Sequence, residues 1–418
     1  MSSADGKTWS EVSGASLSEQ DAGTLAELEL PSVLDADNAT LLDNVHPRCH
    51  VDPDPTDVVY DLVALGAGAG GLVSAKQCSR RGGRSALIEQ HLHGGDCLNV
   101  GCVPSKALIG AARRVRAAKG AAAYGVGVGE VTVDFPFIMQ RMRSLRARIS
   151  PADAVSATST VGADVFQGRG VFTGPHTVVV NGKTLHFKKA VVASGGSPTV
   201  PPIPGLREVP YLTNRTLFNL TSLPPRMTVI GAGPIGLEMA QCFALFGAEV
   251  TVLDVAPKVL AREDQDAAKV IEQSVRADGV KFDLGIKNLR FKLAKAAEGG
   301  GLPTVTAEYD DAEGVAVSLD CEALLCATGR APNVEGLGLK EAGVEYEKRT
   351  GVAVNDQMQT SNPDIYAVGD CSTKWQFTHM AGTQAQMVVD NAVFGDEKKV
   401  HTGIPAVDSV SNSLLFTP

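Results

Sequence analysis

The chain is short of positive charge. Its 38 Lys and Arg residues stand against 47 Asp and Glu residues, a formal net charge of −9 at pH 7. A nucleic-acid-binding surface needs clustered basic residues to neutralise phosphates, so this balance argues against a nucleic-acid partner. The chain also lacks any apolar run near the roughly 18 residues that a membrane-spanning helix needs, which predicts that it does not cross a membrane.

Aromatic residues are scarce and glycines are abundant. Aromatics make up 5% of the chain, whereas 44 of the 418 residues are glycine. This composition is typical of α/β proteins with many tight turns, where backbone must approach a ligand closely. Hydrophobic residues make up 44% and charged residues 20%, which excludes a wholly disordered chain.

The negative charge lies at the start of the chain. Residues 1–57 contain twelve acidic residues and only Lys7 and Arg48 as basic ones, a net of −10, so the remainder is nearly neutral at −9 + 10 = +1. Because this segment is rich in Ser, Ala and Pro without a strict period, we expect residues 1–55 to be an acidic, mostly disordered tail. The segment lacks the features of a transit or secretory peptide, so we expect a protein of the cytoplasm or an organelle matrix.

A glycine-rich pattern follows the acidic segment. Residues 58–65 form an apolar, β-branched run that predicts a buried strand. Residues 66–71 have the pattern G-x-G-x-x-G, followed by a helical stretch to about residue 81 and a second strand at 85–89. This order is typical of a dinucleotide-binding unit.

Each glycine of this pattern, and the acidic residue that follows it, has a physical role. Gly66 permits the tight turn, Gly68 lets the backbone reach a pyrophosphate, and Gly71 permits close packing of the helix. The helix N-terminus then presents its positive dipole end to the phosphates. Glu89 can accept hydrogen bonds from a ribose.

The same pattern occurs a second time. A predicted strand at 226–230 leads into residues 231–236, a helix to about residue 246 and a strand at 250–254. Gly231, Gly233 and Gly236 occupy the glycine positions, and Asp254 occupies the acidic one. Two such units in one chain indicate a flavin and a nicotinamide nucleotide.

Asp254 bears on the choice of nicotinamide. A carboxylate beside the adenosine ribose repels a 2′-phosphate, which favours NAD(H) over NADP(H). Lys258 and Arg262 lie nearby and could partly offset this effect.

The remaining pattern predicts an α/β fold with two Rossmann-like domains of three-layer ββα and αβα character, one inserted in the other. Residues 286–326 alternate apolar and polar runs, which indicates antiparallel strands. A short strand is expected at 365–370 and a helix at 376–394. We predict an FAD-binding domain at 56–205 and 327–396, an NAD(P)-binding domain at 206–326, and a remnant of an interface domain at 397–418.

Two of the eight cysteines lie between Glu89 and the next predicted helix. In a regular helix, Cys97 and Cys102 would point about 140° apart, too divergent for a disulfide. We therefore expect irregular backbone here, which Gly101 and Pro104 permit. A helix N-terminus and Lys106 both favour the thiolate form, so the sequence predicts a redox pair.

Cys321 and Cys326 have the same spacing in what we interpret as an extended strand. There, residues i and i+5 lie about 16 Å apart on opposite faces, so these two cannot bond each other. We expect them, with Cys78, Cys242 and Cys371, to be small buried hydrophobic residues.

Residues 94–106, both glycine patterns, residues 327–333 and residues 366–370 resemble the class I pyridine nucleotide-disulfide oxidoreductases. The family includes dihydrolipoamide dehydrogenase, glutathione reductase and mercuric reductase, and the resemblance covers about residues 56–396. Residues 104–106 resemble the lipoamide and mercuric branches, and residues 44–47 with 376–379 are most similar to the mercuric-reductase-like branch.

The resemblance implies a mechanism. Hydride passes from NAD(P)H to FAD, which reduces the Cys97–Cys102 disulfide. Cys102 forms a charge-transfer thiolate, and Cys97 exchanges with a small-molecule disulfide, a dithiol or a thiol-bound metal ion. Lys106 pairs with Glu238 beside the flavin.

The resemblance also implies which residues contact the cofactors, with no resident metal. Those expected along FAD are Gly66, Gly68, Gly71, Glu89, Lys106, Gly170, Ser194, Gly195, Asp370 and His379. Those expected along NAD are Gly231, Gly233, Gly236, Asp254 and Gly329.

The family's C-terminal domain, which forms the homodimer and supplies a His-Glu acid-base pair, does not follow residue 396 in recognisable form. Three functions therefore stay open: a disulfide oxidoreductase, a diaphorase-like flavoprotein with weak disulfide turnover, and a non-catalytic nucleotide-binding redox sensor. General acid-base help typically contributes about 10²- to 10⁴-fold to the rate.

Overall fold

The computed structural model describes residues 6–13, 17–30, 34–296 and 302–395. The predicted interface-domain remnant at 397–418 lies outside these residues. The helices are α1 (Trp9–Val12), α2 (Glu19–Glu27), α3 (Ala36–Val45), α4 (Ala69–Arg80), α5 (Gly95–Asn99), α6 (Cys102–Gly120), α7 (Phe135–Ile149), α8 (Val155–Thr160), α9 (Asn214–Leu217), α10 (Pro234–Phe246), α11 (Gln265–Ala277) and α12 (Thr378–Ala392).

The described residues also form eighteen strands. They are β1 (Val59–Leu65), β2 (Ser85–Glu89), β3 (Asp164–Gln167), β4 (Val171–Gly174), β5 (Thr177–Val180), β6 (Lys183–Val192), β7 (Gly196–Pro198), β8 (Arg226–Ile230), β9 (Glu249–Asp254), β10 (Lys281–Leu284), β11 (Lys287–Lys295), β12 (Thr304–Asp310), β13 (Ala316–Cys321), β14 (Ala323–Cys326), β15 (Arg330–Pro332), β16 (Tyr346–Glu347), β17 (Gly351–Val352) and β18 (Ile365–Ala367).

The chain forms two compact units, each assembled from separate stretches. The described residues of the first unit lie within the ranges Met1–Val103, Arg143–Ser197 and Arg330–Gly403. The described part of the second unit consists of Pro104–Met142 and Pro198–Gly329. The fold is α/β, with one unit interrupted by the other along the sequence.

The first unit is built on a mixed sheet. The strand order is β3-β2-β1-β6-β5-β4, with β18 paired to the C-terminal half of β6. The pairs from β3 to β6 are parallel, whereas β5 pairs antiparallel with the first half of β6 and with β4. Leu62, Val63 and Ala64 are fully buried in succession, because β1 is covered on both faces like other central parallel strands.

The acidic segment is not a disordered tail where the structure describes it, so that prediction was wrong. Helices α1, α2 and α3 each begin at a residue whose side chain accepts a backbone N–H, namely Thr8, Ser18 and Asp35. Their apolar side chains form a buried cluster that includes Trp9, Leu25, Leu28, Leu34, Leu41, Leu42 and Val45. Burial of this apolar surface supplies the free energy that orders the segment.

The second unit contains a parallel sheet with strand order β10-β9-β8-β14. An antiparallel sheet of β11, β12 and β13 also belongs to it. Of the antiparallel strands expected at 286–326, these three are confirmed, whereas β14 pairs parallel with β8. Ile230, Phe291 and Leu324 belong to one buried cluster, which joins side chains of both sheets.

The units differ from the predicted domains at Pro104–Met142, which the sequence analysis had placed in the FAD-binding domain. The reason lies in aromatic packing inside the second unit. The ring of Phe135 lies 5.6 Å from that of Phe243 and 6.1 Å from that of Phe246, both in α10. Which nucleotide each unit binds stays a prediction.

Among the helices of the described residues, none is both long and apolar enough to cross a lipid bilayer.

Candidate active site

The first glycine turn connects β1 to α4 in the first unit. Gly66 has φ of +102°, and a Cβ there would lie 2.3 Å from the carbonyl oxygen of Ala193. A Cβ on Gly71 would lie 1.7 Å from the carbonyl oxygen of Gly66. These two glycines are therefore required by close backbone approach, as the sequence predicted.

Gly68 has a different role in this turn. It is the N-cap of α4 and offers no side-chain hydrogen bond to the helix, and a Cβ there would approach only the Cα of Gly95, at 3.9 Å. Backbone N–H groups at this helix start are thus left for an anion, as a bound pyrophosphate requires.

Glu89 holds the turn from the end of β2. Its carboxylate accepts hydrogen bonds from the backbone N–H of Ala67 at 2.6 Å and of His91 at 2.7 Å. Burial raises the pKa of Glu89, while these backbone donors oppose the rise. The carboxylate keeps lone pairs that could accept ribose hydroxyls.

The second glycine turn repeats this geometry in the second unit. Gly231 has φ of +106°, and its Cβ would lie 2.5 Å from the carbonyl oxygen of Ala327. A Cβ on Gly236 would lie 2.1 Å from the carbonyl oxygen of Gly231, whereas one on Gly233 would meet nothing within 4 Å. Asp254 accepts from Ala232 N at 2.7 Å and from Ala256 N at 2.8 Å.

Both turns therefore fit a dinucleotide. Each combines two glycines that backbone packing requires with a third, at the helix N-cap, where a Cβ would meet no heavy atom closer than 3.9 Å. An acidic residue at the end of the next strand orders each turn. These are the donor set and the room that a pyrophosphate needs.

Two further glycine turns follow strands of the same sheets. In the first unit, the Ser194 hydroxyl donates to the carbonyl oxygen of Asn333 at 2.6 Å, and Asn333 N donates to the carbonyl oxygen of Gly195 at 2.9 Å. In the second unit, Gly329 has φ of +112° with open space around its Cβ position, and its carbonyl accepts from Thr199 N at 2.9 Å.

Gly170 does not line an open turn. A Cβ there would lie 3.1 Å from the side chain of Ile88 and 3.5 Å from that of Leu65. The residue is buried by packing on the ends of β1 and β2, so the structure shows a packing role for it.

The cysteine pair lies at a break between two helices. Cys97 belongs to α5, which ends at Asn99, and Cys102 is the first residue of α6. A Cβ on Gly101 would lie 2.7 Å from the carbonyl oxygen of Asp96, so glycine is needed for this sharp connection. The irregular backbone predicted at Gly101 is confirmed, whereas Pro104 lies inside the first turn of α6.

The two thiols meet at the start of α12. The Thr378 hydroxyl lies 3.5 Å from Cys102 Sγ, and Thr378 is the first residue of that helix. The hydrogen bond between the two thiols is the largest cause of a raised pKa at Cys97, with burial second; Thr378 acts in the opposite direction. The N-terminal end of α12 also favours a thiolate through its dipole.

Arg330 connects helix α5, which carries Cys97, with Asp370. Arg330 forms ion pairs with Asp96, next to Cys97, and with Asp370, where the separation is 3.2 Å. Its guanidinium also donates to the carbonyl oxygen of Gly196 at 2.5 Å. Burial raises the pKa of Asp370, and Arg330 opposes that rise.

Lys106 and Glu238 form an ion pair within the second unit. The Lys106 Nζ lies 3.4 Å from Glu238 Oε1, with side chains 49% and 10% exposed. One turn along α10, burial and the Glu238 carboxylate raise the pKa of the Cys242 thiol. The pair predicted from the resemblance is thus present as a contact; its role is untested by the geometry.

His379 is exposed, and its ring stacks on Phe377 with centroids 5.5 Å apart. The remaining predicted structural cysteines are buried: Cys78, Cys242, Cys321, Cys326 and Cys371. Cys321 ends β13 and Cys326 ends β14, so they lie on two strands and not on the single one expected. In the described part of the chain, no group of three or more His, Cys, Asp or Glu side chains is arranged to hold a metal ion.

Sequence reasoning missed the contacts of Thr378, Arg330 and Asp96. Thr378 begins a helix that was predicted from residue 376, so its place at a helix N-terminus was available as a signal. The pairing of Arg330 with Asp96 joins positions 234 residues apart, and one sequence contains no signal for such a contact.

The family model described as pyridine nucleotide-disulphide oxidoreductase matches residues 60–385. A mercuric reductase from Lysinibacillus sphaericus is 33% identical over 86% of this chain, and a dihydrolipoyl dehydrogenase from Mycobacterium tuberculosis is 34% identical over 79%. The chain spans 64% of the length of that mercuric reductase and 70% of that dihydrolipoyl dehydrogenase.

A solved structure gives a similar result. The Cu(II) complex of the HOCl-induced flavoprotein disulfide reductase RclA from Escherichia coli matches with a TM-score of 0.68 and 28% identity, over 81% of this chain and 72% of that one. Since the family model covers well over half of the chain, the protein belongs to the class I pyridine nucleotide-disulphide oxidoreductases, a family that depends on FAD and a pyridine nucleotide.

Proposed function

We propose that this protein takes electrons from NAD(P)H and, by way of FAD, reduces a Cys97–Cys102 disulfide that then reduces a small disulfide or a thiol-bound metal ion. One observation carries the proposal: Cys97, Cys102 and the N-terminal residue of α12, Thr378, meet in the unit that holds the first glycine turn. The names of the relatives suggest these two acceptor classes, because one is a mercuric reductase and the other acts on a dihydrolipoyl group, whose oxidised form is a small disulfide.

The residues that would hold the cofactors follow from the two turns. Gly66, Gly68, Gly71 and Glu89 would hold FAD, which when bound supplies a two-electron relay between a reduced nicotinamide and the cysteine pair. The corresponding residues in the second unit, Gly231, Gly233, Gly236 and Asp254, would hold the nicotinamide nucleotide, and the Asp254 carboxylate favours NAD(H).

The cysteines carry out thiol-disulfide exchange. The Cys97 thiolate attacks one sulfur of the acceptor disulfide, forming a mixed disulfide, and the first acceptor thiolate leaves and takes up a proton. The Cys102 thiolate then attacks the Cys97 sulfur, which closes the Cys97–Cys102 bond and expels the second acceptor thiolate, which is also protonated. One acceptor disulfide thus becomes two thiols, and the protein dithiol becomes a disulfide.

The raised pKa of Cys97 supports this division of roles. Because the hydrogen bond with Cys102 raises the pKa of Cys97, we assign the shared proton of the reduced pair to Cys97 and the thiolate to Cys102, beside the Thr378 hydroxyl. Cys97 must lose this proton before it attacks an acceptor.

Lys106 and Glu238 supply the other charged element of the proposal. The Glu238 side chain is 10% exposed, and a carboxylate removed from water needs a counter-charge, which the Lys106 ammonium supplies.

Anaerobic titration of the purified flavoprotein with dithionite tests the proposal. Flavin and disulfide together take up four electrons, whereas Cys97→Ser or Cys102→Ser protein should take up two. Cys49→Ser serves as control, because Cys49 is an exposed cysteine outside the pair, and it should keep the four-electron capacity. Two-electron uptake by the wild type would overturn the proposal.

Steady-state assays then identify the acceptor and the donor. Lipoamide, glutathione disulfide and Hg²⁺ are compared with NADH or NADPH as donor. A preference for NADH that Asp254→Ser reduces about tenfold supports the assigned role of Asp254. Dye reduction that persists unchanged in Cys97→Ser protein, without turnover of any of these acceptors, would instead favour the diaphorase-like function.

A further inference from the structure

Arg146 is buried between helix α3 of the acidic N-terminal segment and helix α5, which carries Cys97. Its Nη1 donates to the backbone carbonyl of Asn99 at 2.7 Å, and its Nη2 donates to Asn38 Oδ1 at 2.7 Å. The residue is 2% exposed. Both hydrogen-bond acceptors are neutral. Burial lowers the pKa of Arg146 to about 10, whereas the Asp35 carboxylate opposes this effect and favours the charged guanidinium electrostatically.

The acceptor at Asn99 is the end of the helix that carries Cys97. Helix α5 contains five residues, Gly95–Asn99, and a helix this short has little stability of its own. Its C-terminal carbonyls have no partners within the helix. Arg146 supplies one such partner, two residues from Cys97 in the sequence.

The N-terminal segment supports the same helix from other directions. Leu92 and Leu98 belong to the buried cluster formed with Trp9, Leu41 and Val45. The backbone N–H of His93, just before α5, donates to the carbonyl oxygen of Val45 at 3.0 Å.

We propose that Arg146 is a positioning residue for the Cys97–Cys102 pair, and that helix α3 holds it in place through Asn38. This inference rests on the proposed function. Closure of a disulfide depends on how often the two sulfurs meet, which fixed geometry increases as a high effective concentration. Release of the end of α5 lowers that frequency and disfavours the disulfide.

The test measures the equilibrium of the pair in the full-length flavoprotein. Protein is equilibrated in glutathione buffers, where the dithiol and oxidised glutathione give the protein disulfide and two reduced glutathione molecules. Alkylation under denaturing conditions and mass spectrometry of the Cys97–Cys102 peptide give the equilibrium constant, which does not depend on turnover.

Arg146→Met is compared with Arg143→Met. The two arginines lie in the same helix, α7, and Arg143 forms an ion pair with Asp35 of the N-terminal segment at 2.5 Å. The same substitution is therefore made beside the same segment, at a position whose guanidinium pairs with Asp35, whereas that of Arg146 donates to the end of α5. Asn38→Leu removes only the acceptor on α3, and Arg146→Lys keeps a donor.

We expect Arg146→Met to lower the equilibrium constant about tenfold, equivalent to about 30 mV for a two-electron couple. Asn38→Leu should lower it about threefold, Arg146→Lys should recover part of the loss, and Arg143→Met should stay within about twofold of wild type. Equal constants for Arg146→Met and Arg143→Met would overturn the inference alone.

Two other outcomes are also decisive. If the wild type never forms the Cys97–Cys102 disulfide, the proposed function fails as well. If Arg146→Met does not fold, Asn38→Leu decides the question, because a wild-type constant in that variant overturns the inference.

Discussion

Gly231 and Gly233 lie in one turn but differ in why they are glycine. A Cβ on Gly231 would meet backbone at 2.5 Å with φ at +106°, whereas Gly233 has open space. Gly231→Ala should therefore lower the free energy of unfolding by at least about 2 kcal/mol, because it adds both strain and a clash. Gly233→Ala should leave stability within about 0.5 kcal/mol and weaken NADH binding, since the added methyl occupies the space at the helix start.

Urea unfolding and fluorescence titration with NADH measure these two effects separately. Unchanged stability in Gly231→Ala protein, or unchanged NADH affinity in Gly233→Ala protein, would show that the second turn does not act as described.

A second prediction at the scale of single residues concerns the Cys97–Cys102 pair. Because the hydrogen bond with Cys102 is the largest cause of the raised pKa at Cys97, Cys102→Ser should lower that pKa toward its ordinary value. At pH 8, iodoacetamide should then alkylate Cys97 several-fold faster than it does in the reduced wild type. Peptide mass spectrometry after timed quenching gives the rate; Thr378→Val should shift it the other way, since Thr378 lowers this pKa.

Local spacing in the sequence predicted the glycines, Glu89, Asp254 and the cysteine pair, because the members of each pattern lie within about 25 residues of one another along the chain. Arg146 was missed for the opposite reason. Its acceptors at Asn38 and Asn99 are 108 and 47 residues away, and an arginine in an amphipathic helix is normally solvated.

At the scale of elements, both strand-turn-helix-strand units were predicted within about one residue, since a strong apolar run and a glycine turn mark each boundary. The three N-terminal helices were missed because their net charge and Ser, Ala and Pro content are typical of disordered segments. Their capping residues were visible, such as Thr8 with Glu11 three positions on. Composition outweighed these local signals.

Buried histidines beside these helices predict acid sensitivity. Burial lowers the pKa of His46 to about 4 and of His93 to about 3; both His93 ring nitrogens are buried without a hydrogen-bond partner among the described residues. The unfolded chain binds these protons near pH 6.5, the folded protein only at lower pH. Stability is therefore complete above about pH 6.5 and falls by a few kcal/mol toward pH 4.

Urea unfolding at several pH values between 7.5 and 4.5 measures this slope. Other groups, including His50, His91 and Lys76, also affect the pKa values of these two rings. The test therefore substitutes a single histidine and compares it with a matched control. His93→Leu should flatten the slope, whereas the same change at His186, which is exposed on β6, should not. Equal slopes in the two variants would contradict the assignment to His93.

At the scale of the whole molecule, the interruption of one unit by the other was predicted, but the place of Pro104–Met142 was not. This stretch continues directly from the cysteine pair, so sequence order assigned it to the first unit. Packing of Phe135 on α10 decides its place, and such long-range apolar contacts have no local signal.

The two turns should bind different nucleotides. NADH added to the protein with its flavin in place should slow hydrogen exchange at residues 231–236 by tenfold or more, because bound phosphates occupy those backbone donors. Residues 66–71 should exchange at an unchanged rate. Peptide-level exchange mass spectrometry measures both turns in one experiment, and protection of both by NADH would contradict the assignment.

The interrupted order of the chain also affects how the protein is made. The described part of the second unit is complete once Gly329 has left the ribosome, whereas the first unit still lacks β18, whose partner on β6 was synthesised about 175 residues earlier. Domains generally fold as units during synthesis. The edge of β6 that later pairs with β18 therefore stays unpaired while the second unit is synthesised. Chaperones that bind nascent chains should bind this edge during that interval.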